Sequence, residues 1–349
     1  MRGTAIAAVT RNEMEVNEPR LVVVVGASAG GLNSVIELAA QLTNEMDLSL
    51  FVVLHLSKMS MEEVLIQRIQ RSTVFTCKIA ENKEAVRTRH LYLALADKHL
   101  VLKHGELILG EGPAENRWRP SIDVLFRSAA VAYDGRTIGI ILTGLLQDGT
   151  SGMIAIKRSG GTCIVQDPQE AEYPDMPQSV LLNMDVDYCI SLSQMGAILL
   201  EKSQNGVHEH HRIPEDVKAE AQIAERVAVG IDNIKDLGNR SYYSCPDCGG
   251  GLWEMVNDNI VRYRCFTGHV FTENELLLRQ SETLENTLWV ALRMIEERKQ
   301  LLHKMALEEE RKGWMLSAEG KKERAAELQE HISRLKDILF EAKNKNEPG

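Results

Sequence analysis

Residues 21–33 read Leu-Val-Val-Val-Val-Gly-Ala-Ser-Ala-Gly-Gly-Leu-Asn, and this stretch constrains the fold more than any other. Five consecutive apolar residues, four of them β-branched valines, stop at Gly26. An unalternating apolar run suits a strand buried on both faces, as in a parallel sheet. Gly26, Gly30 and Gly31 then permit a tight strand-to-helix turn. Leu32, Val35, Ile36 and Ala39 have helical spacing, so Ser28 falls where a strand ends and a helix begins. Two chemistries suit such a turn. One is a phosphate loop on a helix N-terminus, although the P-loop lysine and the full Gly-x-Gly-x-x-Gly spacing are missing. The other is a serine nucleophile beside an oxyanion site. A glycine-rich turn without chemistry is the plain alternative.

The same strand–helix alternation continues to about residue 200. Leu48–Leu54 is a second buried strand ending at His55, and residues 61–71 suit a helix. Short strands follow at 74–79, 90–95, 100–102 and 107–109, the last two flanking the His104-Gly105 turn. Ser121 suits the N-cap of a helix with Asp123 in its first turn and Ile122, Leu125, Phe126 and Ala129 on its buried face. Residues 137–143 make another buried strand, running into Gly144-Leu-Leu-Gln-Asp148-Gly149. A helix opens at Met153, and 162–165 is one more strand. This order predicts an α/β fold, a doubly wound and mostly parallel sheet. A small zinc-ribbon-like module and a C-terminal helical hairpin complete the expected architecture.

The domain boundaries read as follows: a loose tail at 1–20, the α/β domain at 21–202, a polar linker at 203–241, the cysteine module at 242–272, and a helical hairpin or coiled coil at 273–349. A weak helix is expected near 215–229. His208, His210 and His211 lie in the linker without companion ligands and read as a solvated tract. In the last segment Leu277, Leu284, Leu288, Ala291, Ile295, Leu302 and Met305 form a heptad-like seam. Gly313 and Gly320 bracket a turn, and Ala325, Leu328, Ile332, Leu335 and Leu339 face the returning helix. The net charge of −10 argues against nucleic acid as a main ligand. No apolar run approaches the ~18 residues of a membrane span, and the N-terminus carries no signal-peptide core. The expectation is a cytoplasmic protein without membrane insertion.

Ser28, His55 and Asp148 each sit just past an apolar strand. In an open α/β sheet the carboxyl ends of the strands form the ligand crevice. A serine, a histidine and an aspartate on that edge can supply nucleophile, general base and orienting carboxylate.

Four motifs sharpen this: Gly26-Ala-Ser-Ala-Gly-Gly31, the strand ending in His55, Asn116-Arg-Trp-Arg-Pro-Ser-Ile-Asp123, and Leu142-Thr-Gly-Leu-Leu-Gln-Asp-Gly149. Together they resemble the catalytic domain of the CheB-type chemoreceptor glutamate methylesterases. The resemblance covers about 21–202. It implies hydrolysis of glutamyl γ-methyl esters on a chemoreceptor or receptor-like protein, with methanol released and no catalytic cofactor. It implies Ser28 as nucleophile, with His55 and Asp148 as its partners. The related deamidation of glutamines uses the same acyl-enzyme chemistry. Backbone amides at Ala29 and near Leu145 are the expected oxyanion donors, and Arg117 and Arg119 the expected cleft residues. The chain departs from the family at Leu145-Leu146-Gln147, where Met-Gly-Asn is usual, at Trp118, where histidine is common, and at Leu56-Ser57-Lys58, where a proline is frequent. Twenty residues before the first strand cannot form the phospho-receiver domain that usually precedes this catalytic domain.

Cys245-Pro-Asp-Cys248 and Cys265-Phe-Thr-Gly-His269 give Cys-x2-Cys and Cys-x3-His pairs sixteen residues apart. Three thiolates and an imidazole can close a tetrahedral zinc shell, and a segment this short has too little core to fold without one. Reduced thiols without metal are the alternative. Cys77, Cys163 and Cys189 read as small buried residues. The composite of module and helix resembles extensions on some receiverless CheB-type proteins, which implies a signalling partner docking at the C-terminal helices. A non-catalytic scaffold and a nucleotide-binding domain remain the competing functions.

Overall fold

A computed structural model describes residues 19–55, 61–205, 211–225, 238–257 and 260–345. Most of the 1–20 tail, His208, His210 and the Leu56-Ser57-Lys58 departure lie outside the described residues. The chain forms two compact units, 1–275 and 276–349.

The first unit is built on a seven-stranded sheet whose pairings are all parallel. Its elements in chain order are β1 (Leu21–Ala27), α1 (Gly31–Ala40), β2 (Leu48–Leu54), α2 (Glu62–Gln70), β3 (Thr76–Ile79), β4 (Glu84–Ala85), β5 (His90–Leu93), β6 (His99–Lys103) and β7 (Glu106–Gly110). There follow α3 (Ile122–Tyr133), β8 (Thr137–Ile141), α4 (Thr150–Arg158), β9 (Thr162–Gln166), α5 (Asp175–Asn183), β10 (Tyr188–Ile190), α6 (Met195–Asn205) and α7 (Glu215–Glu225). The strand order is β10-β9-β8-β1-β2-β5-β3, while β4, β7 and β6 form a small separate sheet. The hairpin expected around Gly105 is β6–β7.

The valine run explains the centre of the sheet. Val22 and Val24 pack with Phe51, Val53 and α3, while Val23 and Val25 pack with Leu50, Val52 and α1. Each face buries alternate residues, so neither can be polar. The chain leaves β1 toward β2 on one side and returns to β8 on the other. That reversal of strand order opens a crevice at the carboxyl end of β1. Gly26 lets α3 approach there: a Cβ at this position would lie 2.5 Å from Ile122 Cγ2.

Four antiparallel strands close the first unit: β11 (Asn239–Ser244), β12 (Gly251–Asn257), β13 (Ile260–Cys265) and β14 (Val270–Thr272). The stretch expected as a linker contains α7, and its Glu220 is buried. Arg262 of β13 meets Glu220 in a two-pronged contact at 2.8 and 2.7 Å. One charge of α7, Glu220, thus belongs to an internal ion pair, while Glu215 and Gln222 stay exposed.

The second unit is a helical hairpin of α8 (Glu273–Arg311, its first turn belonging to the first unit) and α9 (Met315–Lys345). The turn lies at Gly313, whose φ is 80°, and Gly320 is inside α9 rather than at the turn. Leu292, Ile332 and Leu339 are buried with Leu288, Ile295 and Leu335 packed against them. Leu277 and Leu284, expected on the seam, are 65% and 60% exposed. No described helix is long and apolar enough to cross a membrane.

Candidate active site

Ser28 follows β1, His55 follows β2, and Asp148 lies in the loop after β8. These are the central strand and its two neighbours, so the three side chains share one edge of the sheet. His55 Nδ1 lies 3.2 Å from Ser28 Oγ, and His55 Nε2 lies 3.0 Å from Asp148 Oδ2. The carboxylate is acceptor only, so Nε2 carries the hydrogen and Nδ1 offers its lone pair to the serine hydroxyl. Trp118 stacks on the imidazole, with ring centroids 4.0 Å apart and planes 9° from parallel. The His55 and Asp148 side chains are fully buried.

Asp148 is held by more than His55. Its Oδ2 accepts the Ile122 amide at 2.7 Å, and its Oδ1 accepts Ser121 Oγ at 2.9 Å and Asn116 Nδ2 at 3.1 Å. Ser121 stands at the N-cap position of α3, but its hydroxyl does not cap its own helix. It donates to Asp148, and that carboxylate takes the first helical amide instead. Burial alone would raise the Asp148 pKa. The hydrogen bond and charge of His55, the Ile122 amide and Asn116 outweigh it and hold the group below its ordinary value.

Asp123 is the neighbouring carboxylate. Its Oδ2 accepts Asn116 Nδ2 at 2.9 Å and its Oδ1 accepts the Gly152 amide at 2.6 Å. Burial, and then the charge of Asp148, push its pKa up. His99 is also buried. Ser121 N–H donates to its Nδ1 at 3.2 Å, which leaves Nε2–H to donate to the Pro113 carbonyl at 2.9 Å. Burial lowers its pKa, so it serves as a neutral brace of the 113–121 loop. In the sequence Asp123 marks only a helix start, and neither Asn116 nor His99 carries a role. The Asn116–Asp123 motif was the available signal.

The expected oxyanion donors divide. The Ser28 amide is taken by the Thr143 carbonyl at 3.0 Å, and the Gly144 amide by the Tyr173 carbonyl at 3.0 Å. The Ala29 amide has no acceptor among the described residues. Leu145 is 44% exposed. Arg119 is engaged elsewhere: its Nε and Nη2 donate to Asp97 Oδ1 at 2.9 and 2.6 Å, and its Nη1 donates to the Gly112 carbonyl. Arg117 pairs with Glu275 at 3.2 Å. Both guanidinium groups thus brace the loop around Trp118.

The chain belongs to the CheB methylesterase family. The family model for the CheB methylesterase matches residues 23–199, just over half of the chain. A relative from Leptospira interrogans, named for protein-glutamate methylesterase and protein-glutamine glutaminase activity, is 33% identical over 188 residues. That match spans 54% of this chain and 97% of the relative. A protein of the same name from Photorhabdus laumondii is 30% identical over 189 residues, and the chain spans 53% of its length. The crystal structure of the Thermotoga maritima CheB methylesterase catalytic domain is 31% identical. It superposes with a TM-score of 0.50 over 52% of this chain and 97% of that one. Family membership makes the chain a hydrolase. The CheB match ends before α7, so the Cys/His module lies outside it.

In that module one donor atom from each of Cys245, Cys248, Cys265 and His269 lies within 4.8 Å of all the others. The Cys248–Cys265 sulfur separation is 3.7 Å. His269 Nδ1 lies 3.7 Å from Cys245 Sγ and 3.4 Å from Cys265 Sγ. A zinc tetrahedron with ordinary bond lengths has S···S edges of about 3.8 Å and S···N edges of about 3.6 Å. The donor set and its spacing fit that ion. Of the remaining cysteines Cys163 is buried, Cys77 half-buried and Cys189 exposed, so the expectation of three buried thiols holds fully only for Cys163.

Proposed function

We propose that the chain removes methyl groups from esterified glutamate side chains of a chemoreceptor or receptor-like signalling protein in the cytoplasm. Ser28 is the nucleophile, His55 the general base and acid, and Asp148 the orienting carboxylate. The observation that carries this reading is the continuous Ser28–His55–Asp148 hydrogen-bond chain at the crevice.

The reaction follows from that arrangement. Ser28 Oγ attacks the ester carbonyl while His55 Nδ1 takes its proton, and the imidazolium is stabilised by the ionised Asp148 at Nε2. The negative charge on the former carbonyl oxygen is stabilised by the Ala29 amide in the turn just before α1, with a donor from the 145–147 turn as its partner. The tetrahedral intermediate collapses as His55 returns the proton to the departing methoxide, which leaves as methanol. Water then attacks the acyl-enzyme with His55 again as base, and glutamate is released. The ring hangs by Nε2 from Asp148, so the nitrogen facing Ser28 is Nδ1. Trp118 covers one face of the imidazole and confines it to that plane. The double name of the relatives supports a second reaction at the same centre, glutamine deamidation, in which ammonia leaves in place of methanol.

Cys245, Cys248, Cys265 and His269 hold a structural zinc in this reading. The ion would tie β11–β14 together and supply no chemistry to the ester. The 273–349 hairpin is read as the partner-docking segment.

Ser28 of the full chain should be labelled by a serine-directed phosphonate. Ser28→Ala should abolish methanol release from a methyl-esterified receptor fragment. A folded protein with no labelling and no methanol release would favour a scaffold over an enzyme.

A further inference from the structure

The Cys/His module touches the loop that holds two of the three central residues. Glu115 and Trp118 bracket a tight turn, with the Trp118 amide donating to the Glu115 carbonyl at 2.9 Å and the Glu115 amide to the Trp118 carbonyl at 3.2 Å. The residues between them, Asn116 and Arg117, have φ of 49° and 72°, the pattern of a type I′ turn. Asn tolerates this conformation, but Arg does so only when its surroundings enforce it. From this turn Asn116 donates to both Asp148 and Asp123, and Trp118 stacks on His55.

The surroundings that hold the turn come from the module. The Asn116 amide donates to the carbonyl of Val270 at 2.9 Å, and Val270 directly follows His269. The Glu115 carboxylate is buried against Arg264, which directly precedes Cys265, at 2.9 Å. Arg117 pairs with Glu275, three residues past the end of β14. Three clamps thus join the active-site turn to the segment carrying Cys265 and His269. All of these residues lie in the first unit.

We propose that the Cys245/Cys248/Cys265/His269 module sets the position of the Glu115–Trp118 turn. The hydrolase centre is then competent only while the module is closed by its metal. Asn116 is the positioning residue through which the module acts on Asp148. This rests on the reading of Ser28 as the nucleophile. Its physical basis is that four ligands on one ion fix the Cys265–His269 knuckle, and with it the Arg264 side chain and the Val270 carbonyl.

The test uses the full chain loaded with zinc and the same protein stripped by a chelator, with metal content measured in both. Hydrogen exchange of the 113–119 peptide and the rate of Ser28 phosphonate labelling are followed together. Stripping should expose the 113–119 amides while β1, β2 and β8 stay protected. Labelling should slow about ten- to hundredfold, and added zinc should restore both. Unchanged protection and labelling in protein shown to be metal-free would overturn the proposal.

If stripping unfolds the whole first unit, Asn116→Gly decides with zinc bound. Glycine keeps the left-handed backbone and removes only the amide side chain. A reduced kcat at unchanged KM and unchanged zinc content supports the proposal, and an unchanged kcat overturns it. Failure of the underlying reading looks different: exchange at 113–119 still responds to zinc, but Ser28→Ala turns over as fast as the native chain.

Discussion

Glu220→Gln removes one of two carboxylates from a buried cluster that also holds three guanidinium groups. Glu220 faces Arg262 at 2.8 and 2.7 Å and Arg127 at 3.6 Å, while Glu115 faces Arg127 and Arg264. All five side chains are at most 4% exposed. Counting formal charges, three positive against two negative leaves +1, and the substitution raises that to +2. Stranding a buried charge in this way costs about 3–5 kcal/mol. A second route gives a similar figure. Burial by itself would raise the Glu220 pKa, but Arg262 and Arg127 bring it from 4.5 down to about 2. That depression is worth roughly 3 kcal/mol at neutral pH. The folded pKa is the lower one, so this stability is present above the unfolded pKa and drains away as pH falls toward 2. At pH 3 roughly 1.5 kcal/mol of it remains.

The assay is urea denaturation in a Trp289→Phe/Trp314→Phe background. The remaining tryptophans, Trp118 and Trp253, both report on the first unit. Glu220→Gln should lose about 3 kcal/mol or more at pH 7 and about half as much at pH 3. Glu220→Leu combined with Arg262→Met restores the cluster to +1 and should recover to within about 1 kcal/mol of the native chain. A single-variant loss below about 1 kcal/mol, or a loss equal at both pH values, would refute the reasoning.

Asp148→Asn should keep the fold and lower methanol release by about a thousandfold or more, because it removes the charge that stabilises the imidazolium and mismatches the donors around it. Ser121→Ala removes one of those donors and should cost about tenfold in kcat, measured by steady-state methanol release. Gly144→Ala would place a Cβ against Met176 and 2.8 Å from Ser28 Cβ, so phosphonate labelling should slow and the melting temperature fall. In the second unit Ile332→Ala should cost about 2–4 kcal/mol, read from helical ellipticity on heating, since Ile332 is fully buried beside Leu292 and Leu339.

Ser28, His55 and Asp148 were legible because a parallel sheet sends the carboxyl ends of adjacent strands to one edge. Apolar runs mark those strands without any alignment. The surrounding support was not legible, and α3 shows why. Periodicity picked out Ile122, Leu125, Phe126 and Ala129 as a single buried face, yet every residue of α3 except Val131 is buried. Arg127 reads as a solvent-facing residue until Glu220 and Glu115 cover it. Those partners arrive from a helix and a turn whose own sequences look polar. The linker expectation for 203–241 fails in part for the same reason. Pattern reading prices each charge as solvated, and a charge neutralised by a residue forty positions away carries no local mark. Ser121 illustrates the smaller case: it stands at the N-cap position, but its hydroxyl serves another residue's carboxylate.

Two buried carboxylates bridged by one amide cannot both carry full charge cheaply, so the arrangement of donors decides which does. Asn116 gives one Nδ2 hydrogen to each of Asp148 and Asp123, at 3.1 and 2.9 Å, and is neutral between them. The remaining donors are unequal. Asp148 receives the Ile122 amide, the Ser121 hydroxyl and His55 Nε2, whereas Asp123 receives the Gly152 amide. The charge therefore settles on the carboxylate that faces the imidazole. Asp123, with its pKa raised, is the carboxyl that gives up its charge first. This assignment is what a base at Ser28 requires, since only an ionised Asp148 fixes the proton on Nε2 and frees Nδ1. The turn at Asn116 is held from outside the CheB-matching region. Its holders are the Val270 carbonyl and the side chains of Arg264 and Glu275, so the extension beyond residue 199 reaches the turn that carries the shared amide.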